Sequence, residues 1–248
     1  MIRFQIRQFI SVPYFIQLMV ISTLTALIVQ WLAWQAWGAV RPADAWTRAG
    51  MIGLWTTCTA AAGIIGFERF KGTLVHLVIS PVGALRSCGC VVISAATFGL
   101  AAFVIAWSAW AVLTWSFDFD FFTFARFGEV ALGVITFWIG AVAMCLLIAA
   151  IFVLTPNAIT YEGLLAAPIF LFSGLMFTDS PAPFWISIIS KFLPLSLPID
   201  SLFSRPDALS WINLGQWLVC VCTWFVLAAL AGRAALRKAT EKGTLEVL

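Results

Sequence analysis

Six charge-poor apolar runs, at about 15–37, 46–67, 88–115, 130–154, 163–177 and 211–232, dominate this chain of 248 residues. A hydrocarbon core of about 30 Å takes about 20 residues of α-helix to cross. Each run is therefore a candidate span, 163–177 being the shortest. With 62% hydrophobic and 10% charged residues and a mean hydropathy of +1.03, the chain lacks the polar surface of a soluble globule. The strict two-residue alternation of a membrane barrel strand is absent, whereas a helix satisfies its own backbone groups in lipid. The expected fold is all-α, a polytopic membrane protein with six transmembrane helices in one domain, 1–248. No long-period repeat or linker divides it.

The first run follows a polar, Arg-bearing segment and has no small-residue cleavage pattern behind it, so it reads as a retained span. Six spans put both termini on one side. If that side is the cytoplasm it collects Arg3, Arg7, Arg69, Lys71, Arg86, Arg233, Arg237, Lys238 and Lys242, nine cations, against five opposite, Arg41, Arg48, Arg126, Lys191 and Arg205. The positive-inside rule favours this orientation, which places the chain in a cell membrane, the bacterial plasma membrane by expectation. The net charge of +3 gives no reason to expect nucleic acid as a partner.

Ile2, Ile6, Phe9 and Ile10 share one helical face with Arg3 and Arg7 beside it, the pattern of an amphipathic helix lying at the membrane interface and ended by Pro13. The apolar stretch 181–203 is broken by Pro181, Pro183, Pro194 and Pro198 and is followed by Pro206. Proline removes a helical hydrogen bond and clashes with the preceding turn, so this stretch reads as two short external helices and not as a seventh span.

Chemistry is sparse. All six cysteines lie in or at the ends of spans, and Cys88 and Cys90, like Cys220 and Cys222, are two residues apart, which on a helix points them away from each other. His76 is the sole histidine, which excludes paired-histidine metal sites. No G-x-x-x-x-G-K-[ST] phosphate loop is present, so the chain cannot hydrolyse ATP by itself. Ionisable residues in the middle of a span would mark a functional site, but Glu68, Arg86, Glu129, Glu162 and Arg233 all fall at span ends. That pattern disfavours proton coupling and acid–base catalysis. Asp118-Phe119-Asp120 supplies too few carboxylates for a calcium cage.

Between the second and third runs lies Glu68-Arg69-Phe70-Lys71-Gly72-Thr73-Leu74-Val75-His76-Leu77, continuing to Ser80-Pro81. It resembles the E-x-x-x-G-T-L segment after the second span in permease subunits of the type-2 ATP-binding-cassette transporter family. Phe172-Ser173-Gly174 with Pro181 and Pro183 is similar to that family's S-G-x-x-x-P pattern, with the proline later than usual, and Pro194 to Ser201 is loosely similar as well. The resemblance implies a cytoplasmic coupling helix after span two, an elbow helix before span one and a re-entrant pair before span six. It also implies two ATPase subunits, which bind the ATP and Mg, and a second permease, identical or related. By carry-over Glu68 braces the inner span ends, while Arg69, Lys71, Gly72, Thr73 and His76 meet the ATPase. The substrate path, between spans two and five of facing subunits, would include Trp55, Thr56, Thr59 and Gly63 opposite Phe170, Ser173 and Gly174. Lys71-Gly72-Thr73-Leu74 recurs as Lys242-Gly243-Thr244-Leu245, a short echo that chance also explains.

The expected function is export of a hydrophobic or amphipathic drug, antibiotic, peptide or lipid-like substrate, as in multidrug efflux or antibiotic resistance. A glycan or haem exporter shares the layout. A non-transporting membrane scaffold or sensor is the alternative from another class. A membrane-bound enzyme would need a polar residue such as His76 or Glu162 to be indispensable for activity.

Overall fold

The computed structural model describes residues 2–38, 42–70, 83–115, 124–154, 164, 168–169, 171–175, 183–203 and 210–241. Every regular element among them is helical. In chain order these are α1 (Ile2–Ser11), α2 (Pro13–Trp37), α3 (Pro42–Phe70), α4 (Ala84–Gly99), α5 (Ala101–Thr114), α6 (Phe124–Leu154), α7 (Phe184–Ser190), α8 (Ser196–Leu202) and α9 (Trp211–Glu241). Among the described residues four stretches are long and apolar enough to cross a membrane: Pro13–Ala36, Leu85–Thr114, Phe127–Val153 and Trp211–Lys238. The run at 163–177 is described only in part, and Asp118-Phe119-Asp120, Glu162, Pro181, Pro206 and Lys242 to Leu245 lie outside the described residues.

The boundary between α1 and α2 follows local chemistry. Val12 is extended (φ −99°, ψ 108°) and Pro13 occupies the first helical turn, where its fixed φ fits and its missing N–H is no loss. Phe9 on α1 folds its ring edge-on against Phe15, with centroids 4.8 Å apart, and stacks on Phe98 at 6.4 Å. The apolar face of α1 is thereby seated on α4. At the other end of α2, Gly38 adopts φ 63° and its N–H donates to the Trp34 carbonyl at 2.9 Å, a left-handed helix stop that glycine adopts without strain.

Burial divides the long helices into two kinds. Ile21, Val29 and Leu32 on α2, and Val219, Val226 and Leu230 on α9, are exposed on faces away from the bundle. Helices apolar on their outer faces fit lipid contact. α3 is the opposite: Met51, Leu54, Trp55 and Cys58 are wholly buried, and the helix packs against α2, α4, α5 and α6. Its 29 residues span about 43 Å at 1.5 Å per residue. It forms the axis of the bundle.

The run 88–115 is not one straight helix. α4 and α5 meet at Leu100, where the Leu100 N–H donates to Thr97 O at 3.3 Å and the Phe103 N–H to Leu100 O at 3.2 Å, both tighter turns than an α-helix makes. A Cβ at Gly99 would lie 3.3 Å from the Leu54 backbone, so α4 lies close against α3 at this point. Trp34 and Trp110, with ring centroids 6.0 Å apart, then bring the end of α2 to the end of α5.

Two short helices, α7 and α8, occupy the proline-punctuated stretch, joined by 191–195. They are fastened to α6 and α9. At Gly140 a Cβ would come within 2.6 Å of the Pro194 carbonyl oxygen, so the connection rests directly on the α6 backbone. The indole N–H groups of Trp217 and Trp224 donate to Pro194 O and Phe192 O, each at 2.8 Å. Trp224 stands 13 residues into α9, about 20 Å along its axis. Carbonyls released between the two short helices are thus satisfied by side chains well down the neighbouring helix.

Candidate functional site

α3 carries the residues that sequence reasoning assigned both to a substrate path and to coupling. Trp55 is wholly buried inside the chain and Thr59 nearly so, whereas Thr56 is half-buried. Their hydroxyls turn back on their own helix: Thr56 donates to Ile52 O at 2.8 Å, and Thr59 to Trp55 O at 3.1 Å and Thr56 O at 3.0 Å. Thr57 does likewise to Gly53 O at 2.7 Å. Such back-bonding lets hydroxyl residues sit in an apolar interior without orphaned donors. Thr56 is therefore the member of the group whose side chain reaches a surface of this chain. Gly63 is buried.

On the other proposed wall, Ser173 is buried and its N–H donates to Ile169 O at 2.8 Å. Gly174 follows at φ 83°, a left-handed turn that ends the short helical piece. Phe172 packs edge-on against Trp185 of α7 at 6.3 Å, which ties this turn to the paired short helices. Phe170 lies outside the described residues.

At its far end α3 runs through Glu68 and Arg69 to Phe70 without a break. Both residues belong to the helix. Lys71, Gly72, Thr73, His76, Ser80 and Pro81 lie outside the described residues, and α4 begins at Ala84.

One cluster was missed from sequence. Arg48, taken above only as an external topology charge, is buried near the start of α3, with Asp44 and Thr47 buried beside it. Its Nη1 donates to Gln30 Oε1 on α2 at 3.3 Å, and its guanidinium lies over the Phe203 ring at 5.0 Å. Arg48 thus joins α2, α3 and the end of α8. Its spacing from Asp44, i to i+4 on one helix face, was the pattern that could have flagged it.

At the opposite end, α4, α6 and α9 line a partly open cavity of about 190 Å³, walled by apolar residues including Leu85, Leu146, Val153 and Phe225. Among the described residues no group of three or more His, Cys, Asp or Glu could hold a metal. The features assembled here are a buried axial helix, a fastened helix pair at one end and an apolar cavity at the other.

That arrangement agrees with what comparison finds. A family profile described as ABC-2 type transporter matches residues 1–204. No curated protein and no solved structure matches the chain. With 204 of its 248 residues covered, and with an all-helical bundle bearing several apolar helices long enough to cross a membrane, the chain belongs to the ABC-2 type transporter family.

Proposed function

We propose that this multi-pass membrane protein, a permease of the ATP-binding-cassette exporter type, moves a hydrophobic or amphipathic substrate outward in a complex with a second permease and two ATPase subunits. Family membership makes it a transport component that works with ABC ATPases and not a catalyst by itself. The observation that carries the finer reading is α3. A single helix, in contact with α2, α4, α5 and α6, ends in Glu68, Arg69 and Phe70. Displacement of that end would be passed to four neighbours at once, because close-packed interiors transmit strain.

In this reading Glu68 braces the inner span ends, and Arg69, Lys71, Gly72, Thr73 and His76 contact the ATPase, which binds ATP and Mg. Both termini are cytoplasmic, and α1 lies along the inner interface. α3 and the stretch 163–177 are the two spans beyond the four long apolar stretches. α7 and α8 dip from the outer side, a placement supported by the depth at which Trp224 holds Phe192. The substrate path runs past Thr56 toward Phe170, Ser173 and Gly174, with Trp55 and Thr59 packed behind it. Aromatic and small hydroxyl residues suit a bulky ligand held without charge pairing.

The test is purification of the full chain from its membrane in mild detergent, with stoichiometric partners identified by mass spectrometry. An ATP-binding subunit in equal amount, whose hydrolysis rises with an apolar substrate, is expected. Its absence under conditions that preserve other transporter complexes would favour a scaffold or sensor.

A further inference from the structure

The cavity between α4, α6 and α9 belongs to neither the proposed substrate path nor the coupling segment. Its wall is apolar on all three sides, with Leu85 and Cys88 from α4, Leu146 and Val153 from α6, and Phe225 and Leu236 from α9. It is partly open and holds about 190 Å³, room for a segment of a hydrocarbon chain, since an apolar cavity of about 150 Å³ takes a benzene-sized guest. Water finds no polar partners there, so the natural occupant is hydrocarbon. The neighbouring face of α9 is exposed at Val226, Leu227 and Leu230, a surface suited to lipid.

The ends of the same helices add charge. Ala229 lines the cavity, and Arg233 follows it by one turn on the same face of α9. Gly89 also lines it, and Arg86 precedes it by one turn on α4. Both arginines are exposed. At this end of α4, α6 and α9 the charged residues with described side chains are Arg86, Arg233, Arg237 and Lys238, all basic. An apolar slot beneath a basic rim between membrane helices matches the two halves of an anionic lipid.

We propose that the cavity seats a segment of one acyl chain of an anionic glycerophospholipid, with the lipid phosphate held by Arg86 and Arg233. The proposal rests on the chain being embedded in a bilayer and is independent of any ATPase partner. A neutral apolar ligand would fill the cavity but leave the rim unused. Gly232 marks its border: a Cβ there would come within 2.6 Å of Leu85 Cδ1, so α4 and α9 touch just beyond the slot. The bound chain fills the space between α4, α6 and α9 at the end where α3 runs out to Phe70.

The experiment is native mass spectrometry of the delipidated full chain, titrated with dioleoyl phosphatidylglycerol or dioleoyl phosphatidylcholine. The expected result is about tenfold tighter binding of the anionic lipid, reduced to the level of the neutral lipid in Arg86→Gln/Arg233→Gln. Ala229→Phe, which fills the slot, should lower binding of both lipids, and Ala150→Leu should do the same from the α6 wall. Equal binding of the two lipids by the wild-type chain, or an anionic preference that survives removal of both arginines, overturns the proposal. So does unchanged binding in both slot-filling variants, or an apolar peptide retained at the site in place of lipid.

Discussion

The two ends of the bundle are held together by different means. Where α3 begins, directional contacts dominate: the Arg48 guanidinium bonds to Gln30 and covers Phe203, while two indoles secure the connection between α7 and α8. Where α3 ends, the neighbouring helices meet through alanine, glycine and leucine around an apolar cavity. Directional bonds fix the orientation of the groups they join, whereas apolar contacts are non-directional and hold helices by shape alone. The proposed function asks for such a difference, with drive received at one end and substrate released at the other.

The largest expected effect lies at the end where α3 runs out to Phe70. Glu68→Ala should lower substrate transported per ATP hydrolysed roughly tenfold or more while leaving membrane expression intact, measured in proteoliposomes with the partner ATPase. Wild-type stoichiometry would remove Glu68 from coupling. Next comes Arg48→Ala, which takes away a desolvated cation–π contact of about 2 kcal/mol together with its hydrogen bond. Hydrogen exchange at 196–203 should accelerate in that variant, and unchanged exchange would mean that α8 is held by packing on α6 alone.

Trp224→Phe keeps an aromatic ring but leaves the Phe192 carbonyl only the Cys220 thiol, at 3.3 Å, as donor. A loss of about 0.5–1.5 kcal/mol is expected, read as a lowered Tm in detergent. If the variant melts like wild type, the asymmetry between the ends is weaker than the distances suggest. The smallest effect should come from Thr56→Val. Its hydroxyl serves only its own helix among the described contacts, so stability should change by less than about 0.5 kcal/mol while the KM for an apolar substrate shifts. An unchanged KM across several substrates would take Thr56 out of the path.

Much of the helical layout was legible because membrane-crossing length and proline placement are local properties. The run 15–37 became α2, 211–232 became the core of α9, and Pro183 and Pro198 fall in a stretch that folds as two short helices. The tightened turn at Leu100 was not legible: 88–115 reads as one apolar run, and the close approach of Gly99 to Leu54 appears only in the packed structure. Among the site residues, Thr56, Trp55 and Thr59 look alike in sequence as neighbours on one helix. Their burial depends on which face of α3 meets α5 and α6.

Composition, apolar run length and proline spacing determined by themselves that this is a helical membrane protein, since each acts through the solvent or through a few consecutive residues, and the E-x-x-x-G-T-L segment added the resemblance to a permease family. The tertiary structure alone decided that Arg48 is an interior clamp, that α3 is the axis, that α9 indoles satisfy carbonyls more than 20 residues away and that α4, α6 and α9 leave an apolar cavity between them. These are long-range outcomes. They depend on which helix faces meet, and helix faces that are apolar nearly all round carry little pattern to specify that in advance.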